Sequence, residues 1–528
     1  MSKASAFRGW NRSAPTLARD RRSAVFGAVA GGTGTPRIAI IGAGASGLCM
    51  GIKLIQRGID SFTIYEKSDG VGGTWRDNTY PGAACDVPSH LYSLSFAPKT
   101  DWSRKFPGQA EILEYFESLV GRFGLEPHLE FHTEVTDLRW DDDRDLWLGT
   151  TRSDGTEPNG AGGNHNSFEA EVVISGLGQL NQPNIPEIEG LDTFEGTTFH
   201  SARWDHEHDL DGENVAVIGI GASAIQFVPQ IAESAQSLTL FQRSVNYVVP
   251  KPDRAFKPWE HWVLENFPGL ARLYRESIYW RFEARFSVMR KNSRLGKFVQ
   301  RKFADEIIAL ESPRLPREAI VPDYTPGCRR ILIANDWYPT LTKPSVSVVT
   351  SPVERITPHG VVSDGVEHPV DTIIFGTGFR STDFLTPMKV IGRNDLDLNE
   401  VWRDGAKAVL GLSVPGFPNF FMLYGPNTNL GHNSILFMIE QQVGYVLKMI
   451  DAMVLDGLKV AEVTQKAMEN FDREILEATS KTVWDEDCSS WYKNESGRIT
   501  NNWPAYTVTY RRRLRRPDPR DWQFERVS

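Results

Sequence analysis

Two stretches of this chain carry the same rhythm of apolar and polar positions. In residues 37–67, RIAIIGAGASGLCMGIKLIQRGIDSFTIYEK, an apolar run from Arg37 to Ile41 meets Gly42-x-Gly44-x-x-Gly47. A helical apolar pattern continues to Leu54, and a second apolar run, Ser61 to Tyr65, ends at Glu66. From Asn214 the order repeats as NVAVIGIGASAIQFVPQIAESAQSLTLFQRS, with Gly219, Gly221 and Ala224 in a GxGxxA turn and a run from Leu238 to Phe241 that precedes Arg243. Strand, glycine turn, helix and strand in succession predict a βαβ dinucleotide-binding unit, here twice. The expected fold class is α/β, with two Rossmann-like dinucleotide-binding domains and a helical insertion in the second.

The residues that close the two units differ in charge. Gly42 permits the tight turn, Gly44 admits a pyrophosphate to the backbone, and Gly47 lets helix and strand approach. Glu66, 24 residues after Gly42, is placed to accept a hydrogen bond from an adenosine ribose hydroxyl. Arg243 stands 24 residues after Gly219, and a guanidinium there suits a 2′-phosphate. The first unit therefore reads as an FAD site and the second as an NADPH site. Ser46, Ser223 and Ser244, beside these glycines and Arg243, join the candidate cofactor contacts.

Elsewhere the rhythm changes. Residues 151–168 are polar and rich in Gly and Asn, as expected of an exposed hairpin tip. Strand-like runs enter glycine turns at Gly176-x-Gly178 and at Gly376-Thr377-Gly378. Residues 250–327 break the α/β alternation: Leu270, Tyr274, Ile278, Phe282 and Phe286 recur every four residues, a helical stripe with Arg and Lys on the other faces. Packing against a neighbouring domain is the preferred reading of that stripe, and a membrane-surface helix is the alternative.

Composition narrows the class. The 528 residues, 40% hydrophobic and 24% charged, allow two to four globular domains. A net charge of −9 argues against general nucleic-acid binding, and the Arg cluster at 511–516 reads as a solvated end. No run of about 18 apolar residues exists to span a membrane. Cys49, Cys85, Cys328 and Cys488 form no CxxC pair, which argues against a redox disulfide or zinc knuckle and for a reducing, cytoplasmic setting. His206 and His208 lack a third ligand, so no metal site is expected. The Arg-, Ser- and Ala-rich first 35 residues read as a flexible extension rather than an organelle transit peptide.

Between the two units lies FEGTTFHSARWD, residues 194–205, with Phe194, Gly196, His200, Trp204 and Asp205 at fixed spacing. This resembles the fingerprint of type I Baeyer–Villiger monooxygenases, class B flavoprotein monooxygenases that insert an oxygen atom beside a ketone. A second segment, GGTWRDNTYPGAACD at residues 72–86, matches another pattern of that family. The resemblance covers roughly residues 36–504. It implies that Gly72, Gly73, Thr74 and Trp75 run along the flavin, that Asp86 sits near the flavin ring and nicotinamide as both a catalytic residue and a cofactor contact, and that Tyr92 is a weaker flavin contact. It places a catalytic Arg in the segment Pro326-Gly327-Cys328-Arg329-Arg330: Arg330, with Arg329 as a second contact to the 2′-phosphate. The family's usual Lys-Arg is Arg-Arg here, and the Asp that often follows the Phe379 junction is Arg380. Residues Asn427 to Asn433 and Ile435 to Gln441 resemble a loop and helix start that line the ketone pocket. Ser490-Trp491-Tyr492 resembles a loop whose Trp closes over NADP, and His200 and Trp204 a linker that orders when NADP binds.

The implied organisation is a 1–35 extension, an FAD domain from 36–177 and 380–528, an NADP domain from 178–249 and 328–379, and a helical insertion at 250–327. The implied activity is NADPH- and O2-dependent oxidation of ketones to esters or lactones through a peroxyflavin, with sulfoxidation as a side activity. A flavin monooxygenase acting on sulfur or nitrogen is the alternative, and a non-catalytic NADP-sensing flavoprotein a more distant one. The expected partners are a small-molecule ketone and O2, the assembly a monomer or homodimer.

Overall fold

The structure is a computed structural model that describes residues 35–153, 165–488 and 490–526. The expectations for the N-terminal extension and for the tip of the 151–168 hairpin fall on residues 1–34 and 154–164, outside the described ones. The flanks of that hairpin, Leu146–Ser153 and His165–Ala170, do pair antiparallel.

Each predicted βαβ unit nucleates a five-stranded parallel sheet. In the first, the order is Phe420–Met422, Val172–Ser175, Ile38–Ile41, Phe62–Tyr65, Leu129–Glu130. In the second it is Val346–Val349, Ser237–Phe241, Asn214–Ile218, Thr372–Phe375, Thr197–His200. Interior strands of both sheets are buried along their whole length, Ile38–Ile41 and Thr372–Phe375 alike. That is why they are continuous apolar runs rather than alternating ones: parallel strands are covered on both faces. The helices Ala45–Arg57 and Ala224–Ile231 follow the two glycine turns. Both sheets are parallel α/β layers of the Rossmann type, as the patterning implies.

Helices Pro258–Asn266, Pro268–Ala284 and Arg294–Ile308 fill the segment that broke the alternation. Of the stripe, Ile278, Phe282 and Phe286 are buried and Tyr274 is half-buried, so packing is its main role. Leu270 departs from that expectation and stands 48% exposed. It lies in the first turn of its helix, where residues 268–270 are all exposed.

One expectation is corrected outright. Cys328 and Cys488, read as unpaired, form a disulfide with Cα atoms 6.5 Å apart. Their 160-residue separation hid the pairing, because only the tertiary fold brings such positions together. Cys49 and Cys85 are free and buried.

Candidate active site between the two glycine loops

The first glycine turn is built by exclusion of side chains. Gly42 has φ +95°, and a Cβ on Gly47 would stand 1.9 Å from the Gly42 carbonyl oxygen, so helix and strand meet backbone to backbone. Gly44 packs against Gly73, whose own Cβ would lie 3.1 Å from the Gly44 Cα, and the Gly72 N–H donates to the Ala43 carbonyl at 3.1 Å. The Gly42–Gly47 turn and the Gly72–Thr74 segment thus form one bare backbone cradle. Ser46 is buried beneath it. Buried Glu66 accepts from the Ala43 N–H at 2.7 Å and the Ser68 N–H at 2.9 Å. Its carboxylate therefore fastens the turn in addition to the ribose role read from sequence, and its remaining lone pairs are free in number for that second task.

The second turn repeats the construction. A Cβ on Gly219 would meet the Gly376 carbonyl oxygen at 2.7 Å, and Gly221 faces the same oxygen at 3.2 Å. The strand-end segment Gly376-Thr377-Gly378 packs on this turn as Gly176-Leu177-Gly178 packs on the first. Ser223 immediately precedes the helix. Beyond the next strand Arg243 is exposed, and its neighbour Ser244 accepts a 2.5 Å hydrogen bond from Arg329 Nη1. The Arg329 guanidinium also lies 4.7 Å from the Tyr324 ring centre. Arg243, Ser244 and Arg329 thereby share one corner of the second unit.

The Tyr80–Asp86 segment links the two units. Tyr80 Oη donates to Gln226 Oε1 at 3.0 Å, and Gln226 Nε2 donates to the Ala84 carbonyl at 3.0 Å. A Cβ on Gly82 would stand 2.7 Å from the Gln226 carbonyl, so only glycine lets the segment lie on that helix. Asp86 follows, and its Oδ2 accepts from Arg330 Nη2 at 3.1 Å while its buried Oδ1 has no protein partner. Burial opposes the Arg330 charge, but Asp86 more than offsets it and holds the guanidinium above its ordinary range. Tyr92, Tyr424 and Tyr492 lie within electrostatic reach of Arg330. Burial raises all three hydroxyls, that of Tyr492 to about 12, so they remain protonated donors. Trp75 Nε1 donates to Tyr92 Oη at 2.9 Å, and Thr74 starts the short helix that carries Trp75.

Two loops close over this point. Tyr424 Oη donates to Asn429 Oδ1 at 2.7 Å, and Asn429 Nδ2 donates to Asn502 Oδ1 at 2.7 Å. Cys488 ties the Cys328 end of the arginine segment to the 488–492 loop, and Trp484 Nε1 donates to the Gly327 carbonyl at 2.9 Å. The Trp491 ring lies 4.5 Å from that of Tyr492, and the Trp491 carbonyl accepts from Ser381 and Asn501.

The fingerprint is an edge strand and its turn. Phe194 packs on the second sheet, and a Cβ on Gly196 would meet the Asp371 carbonyl at 2.1 Å. Buried His200 accepts from the Ala202 N–H through Nδ1 at 3.0 Å and packs on Phe379. Trp204 sits edge-on to Phe199 and tilted on Phe227, and Asp205 Oδ1 accepts from the Glu207 N–H. Residues 202–204 also face Lys67, Ser68 and Asp77 across an open cavity of about 500 Å³. His206 bonds Thr79, and His208 bonds Glu213 and Thr372, so each has a structural partner.

The structure therefore assembles Asp86, Trp75, Tyr92, Arg329, Arg330 and Trp491 around the junction, and keeps the fingerprint to one side of it. Sequence reasoning singled out none of Tyr80, Gln226, Tyr424 and Asn502 as a site residue, and named Tyr492 only as part of a loop; Tyr424 lies three residues before the Asn427 segment. Tyr80 and Tyr492 stood inside motifs already singled out, whereas Gln226 and Asn502 carried no local signal.

Two bare dinucleotide cradles, joined by an Asp–Arg pair, define a two-nucleotide flavoprotein. The residues fit FAD and NADP: each turn presents glycine backbone with no side chain to fill the cradle, and the corner beside Arg243 is cationic. The model of the flavin-binding monooxygenase-like family matches residues 35–388. The chain is 41% identical over 497 residues to a Baeyer–Villiger monooxygenase of Streptomyces coelicolor, covering 93% of both chains. It is likewise 41% identical over 486 residues to a Baeyer–Villiger monooxygenase of Pseudomonas aeruginosa, covering 91% of this chain and 90% of that one. Among solved structures it resembles the NADP+-bound cyclohexanone monooxygenase of Rhodococcus sp. Phi1, with TM-score 0.82 and 27% identity over 93% of this chain and 99% of that one. NADP-bound steroid monooxygenase gives TM-score 0.81 and 28% identity over 93% of this chain and 100% of that one. The chain belongs to the flavin-binding monooxygenase-like family, and within it to the Baeyer–Villiger monooxygenases. It is an FAD-containing, NADPH-dependent monooxygenase.

Proposed function

We propose that this enzyme oxidises a small ketone to an ester or lactone with Arg330 at the reacting carbonyl. The observation that carries this reading is the Arg330–Asp86 pair, 3.1 Å apart, at the junction of the two nucleotide units. FAD, held by the Gly42–Gly47 turn and the Gly72–Trp75 segment, supplies the oxygen-activating chemistry when bound. NADPH, held by the Gly219–Ser223 turn with Arg243, Ser244 and Arg329, supplies the hydride. In this reading the FAD unit comprises 36–177 and 380–528, the NADP unit 178–249 and 328–379, and the helical insertion 250–327.

The chain's own groups then have distinct tasks. Arg330 keeps its proton throughout and donates to the oxyanion that forms when a ketone carbonyl is attacked. Asp86 orients that guanidinium with one oxygen and leaves the other as an acceptor. Tyr92, Tyr424 and Tyr492 wall the point with aromatic surface that excludes water, and the 425–433 loop lines the ketone side. Trp491 closes the nicotinamide side, and the segment around His200 and Trp204 couples the NADP unit to it. The working compartment proposed is the cytoplasm, although the Cys328–Cys488 bond removes the unpaired cysteines as an argument for a reducing setting. Among the described residues no helix is long and apolar enough to cross a membrane.

NADPH consumption with and without a panel of ketones, coupled to mass spectrometry of products, tests the reading. The expected result is a ketone-dependent rise in consumption with a product one oxygen heavier. Oxidation of sulfides or amines alone, with ketones untouched, would place the enzyme with the heteroatom oxidisers instead.

A further inference from the structure

The helical insertion presents a face that neither nucleotide unit uses. Helices Pro258–Asn266 and Pro268–Ala284 are joined only by Phe267 and pack together as a hairpin. Their inner faces bury Leu264, Ile278, Tyr279 and Phe282. Their outer faces carry Trp259, Trp262, Phe267, Leu270, Leu273 and Trp280, each between 47% and 65% exposed. At 100° per residue, Leu273 and Trp280 share one narrow stripe opposite Ile278 and Phe282. The Trp262 and Phe267 rings meet edge to face at 5.6 Å, which continues the apolar surface across the hairpin turn. Every exposed tryptophan among the described residues lies on this hairpin. Scattered surface apolar residues need no explanation, but six within 22 residues on one hairpin do.

The hairpin itself carries Lys257, Arg272 and Arg275 against Glu260, Glu265 and Glu276, but the segment that follows it is strongly biased. Residues 281–302 hold eight Arg and Lys against one acid, Glu283, in a chain whose net charge is −9. Glu283 is buried and taken up by Asn433, Thr507 and the Val508 N–H. Six of the eight cations, Arg281, Arg285, Arg290, Arg294, Lys297 and Arg301, are exposed and show no ion pair among the described residues. Leu295 and Phe298 stand exposed among them.

We propose that this hairpin seats the enzyme on an anionic membrane surface. Trp and Leu enter the boundary between headgroups and acyl chains, where an indole satisfies its N–H while its rings leave water. The Arg and Lys run lies against acidic headgroups. Charge decides between this occupant and a second copy of the chain: two copies paired here would bring their basic 281–302 segments together, whereas an anionic bilayer accepts both the apolar hairpin and the basic segment. A ketone dissolved in the bilayer would then be concentrated at the enzyme.

The test is co-flotation of the full-length, FAD-loaded enzyme with phosphatidylcholine vesicles, with and without phosphatidylglycerol. Binding is expected only with phosphatidylglycerol and should weaken in high salt. The triple variant Trp262→Ser, Leu273→Ser, Trp280→Ser should lose about tenfold or more in partitioning. Its FAD content and ketone-free NADPH oxidation should be unchanged, since these side chains already face solvent. A second variant, Arg294→Glu with Lys297→Glu, should weaken binding to the anionic vesicles alone. The proposal is overturned if neither vesicle binds the enzyme, or if the triple variant binds as the parent does. It is equally overturned if size-exclusion chromatography shows a dimer that the triple variant dissolves, with no vesicle binding.

Discussion

Arg330 Nη2 stands 3.1 Å from Asp86 Oδ2, and that contact spans 244 residues of sequence to join the segment after the helical insertion to the first nucleotide unit. Arg330→Ala is expected to retain FAD and to be reduced by NADPH, while ketone oxygenation falls by about 10²–10³. Stopped-flow reduction and product formation measure the two separately. Arg330→Lys should recover little, because an ammonium cannot hold Asp86 and face a carbonyl with a planar fork. Ester formation near the parent rate in Arg330→Ala would remove Arg330 from the mechanism.

Arg243, Ser244 and Arg329 crowd one corner, and Arg329 already bonds Ser244 at 2.5 Å. Arg243→Ala should raise the KM for NADPH by about ten- to a hundredfold, the equivalent of roughly 1.5–3 kcal/mol for a charge-assisted contact, and leave that for NADH nearly unchanged. Arg329→Ala should act in the same direction, with part of its effect passing through Ser244. Equal weakening toward both cofactors would make the corner structural.

Much of this plan was legible in the sequence because its signals are local. Within each unit the glycine turn, the apolar strands that flank it and the closing charge, Glu66 in the first and Arg243 in the second, fall within about 30 residues, the span of a βαβ unit. What stayed hidden depends on tertiary approach. Gln226 looks like any polar helical residue until the Tyr80–Ala84 backbone is laid on it. Asn502 reaches Asn429 across 73 residues, and no periodicity encodes that. The stripe through Tyr274 and Ile278 correctly announced a buried face, yet the exposed Trp262, Leu273 and Trp280 fell outside its four-residue spacing.

The Cys328–Cys488 bond bears on the same site, since Cys328 lies two residues before Arg330. Thiol titration of denatured protein without reductant should give two reactive thiols, Cys49 and Cys85, and four after reduction. Cys488→Ser should lower stability by about 2–4 kcal/mol, the usual range for a long closed loop. It should also raise proteolytic cleavage between Val483 and Ile499. Four thiols without reductant would mean the bond is absent in the enzyme as prepared.

His200 gives the enzyme a defined acid limb. Burial lowers its pKa from 6.5 to about 4, the Gly378 backbone opposing and Arg203 adding slightly. The folded state therefore keeps His200 neutral over a range in which the unfolded chain binds a proton. Its contribution to stability is complete above pH 6.5 and is lost as pH falls toward 4, a change of roughly 3 kcal/mol by linkage. His90, also lowered to about 4 by burial, acts in the same direction. Urea denaturation at intervals across that window should show stability falling as the solution is acidified. His200→Asn retains an acceptor for the Ala202 N–H but cannot take up a proton, so its stability should fall less steeply, with the residual slope owed to His90. A variant with the parent's full slope would show that His200 is already protonated, or solvated, in the folded enzyme.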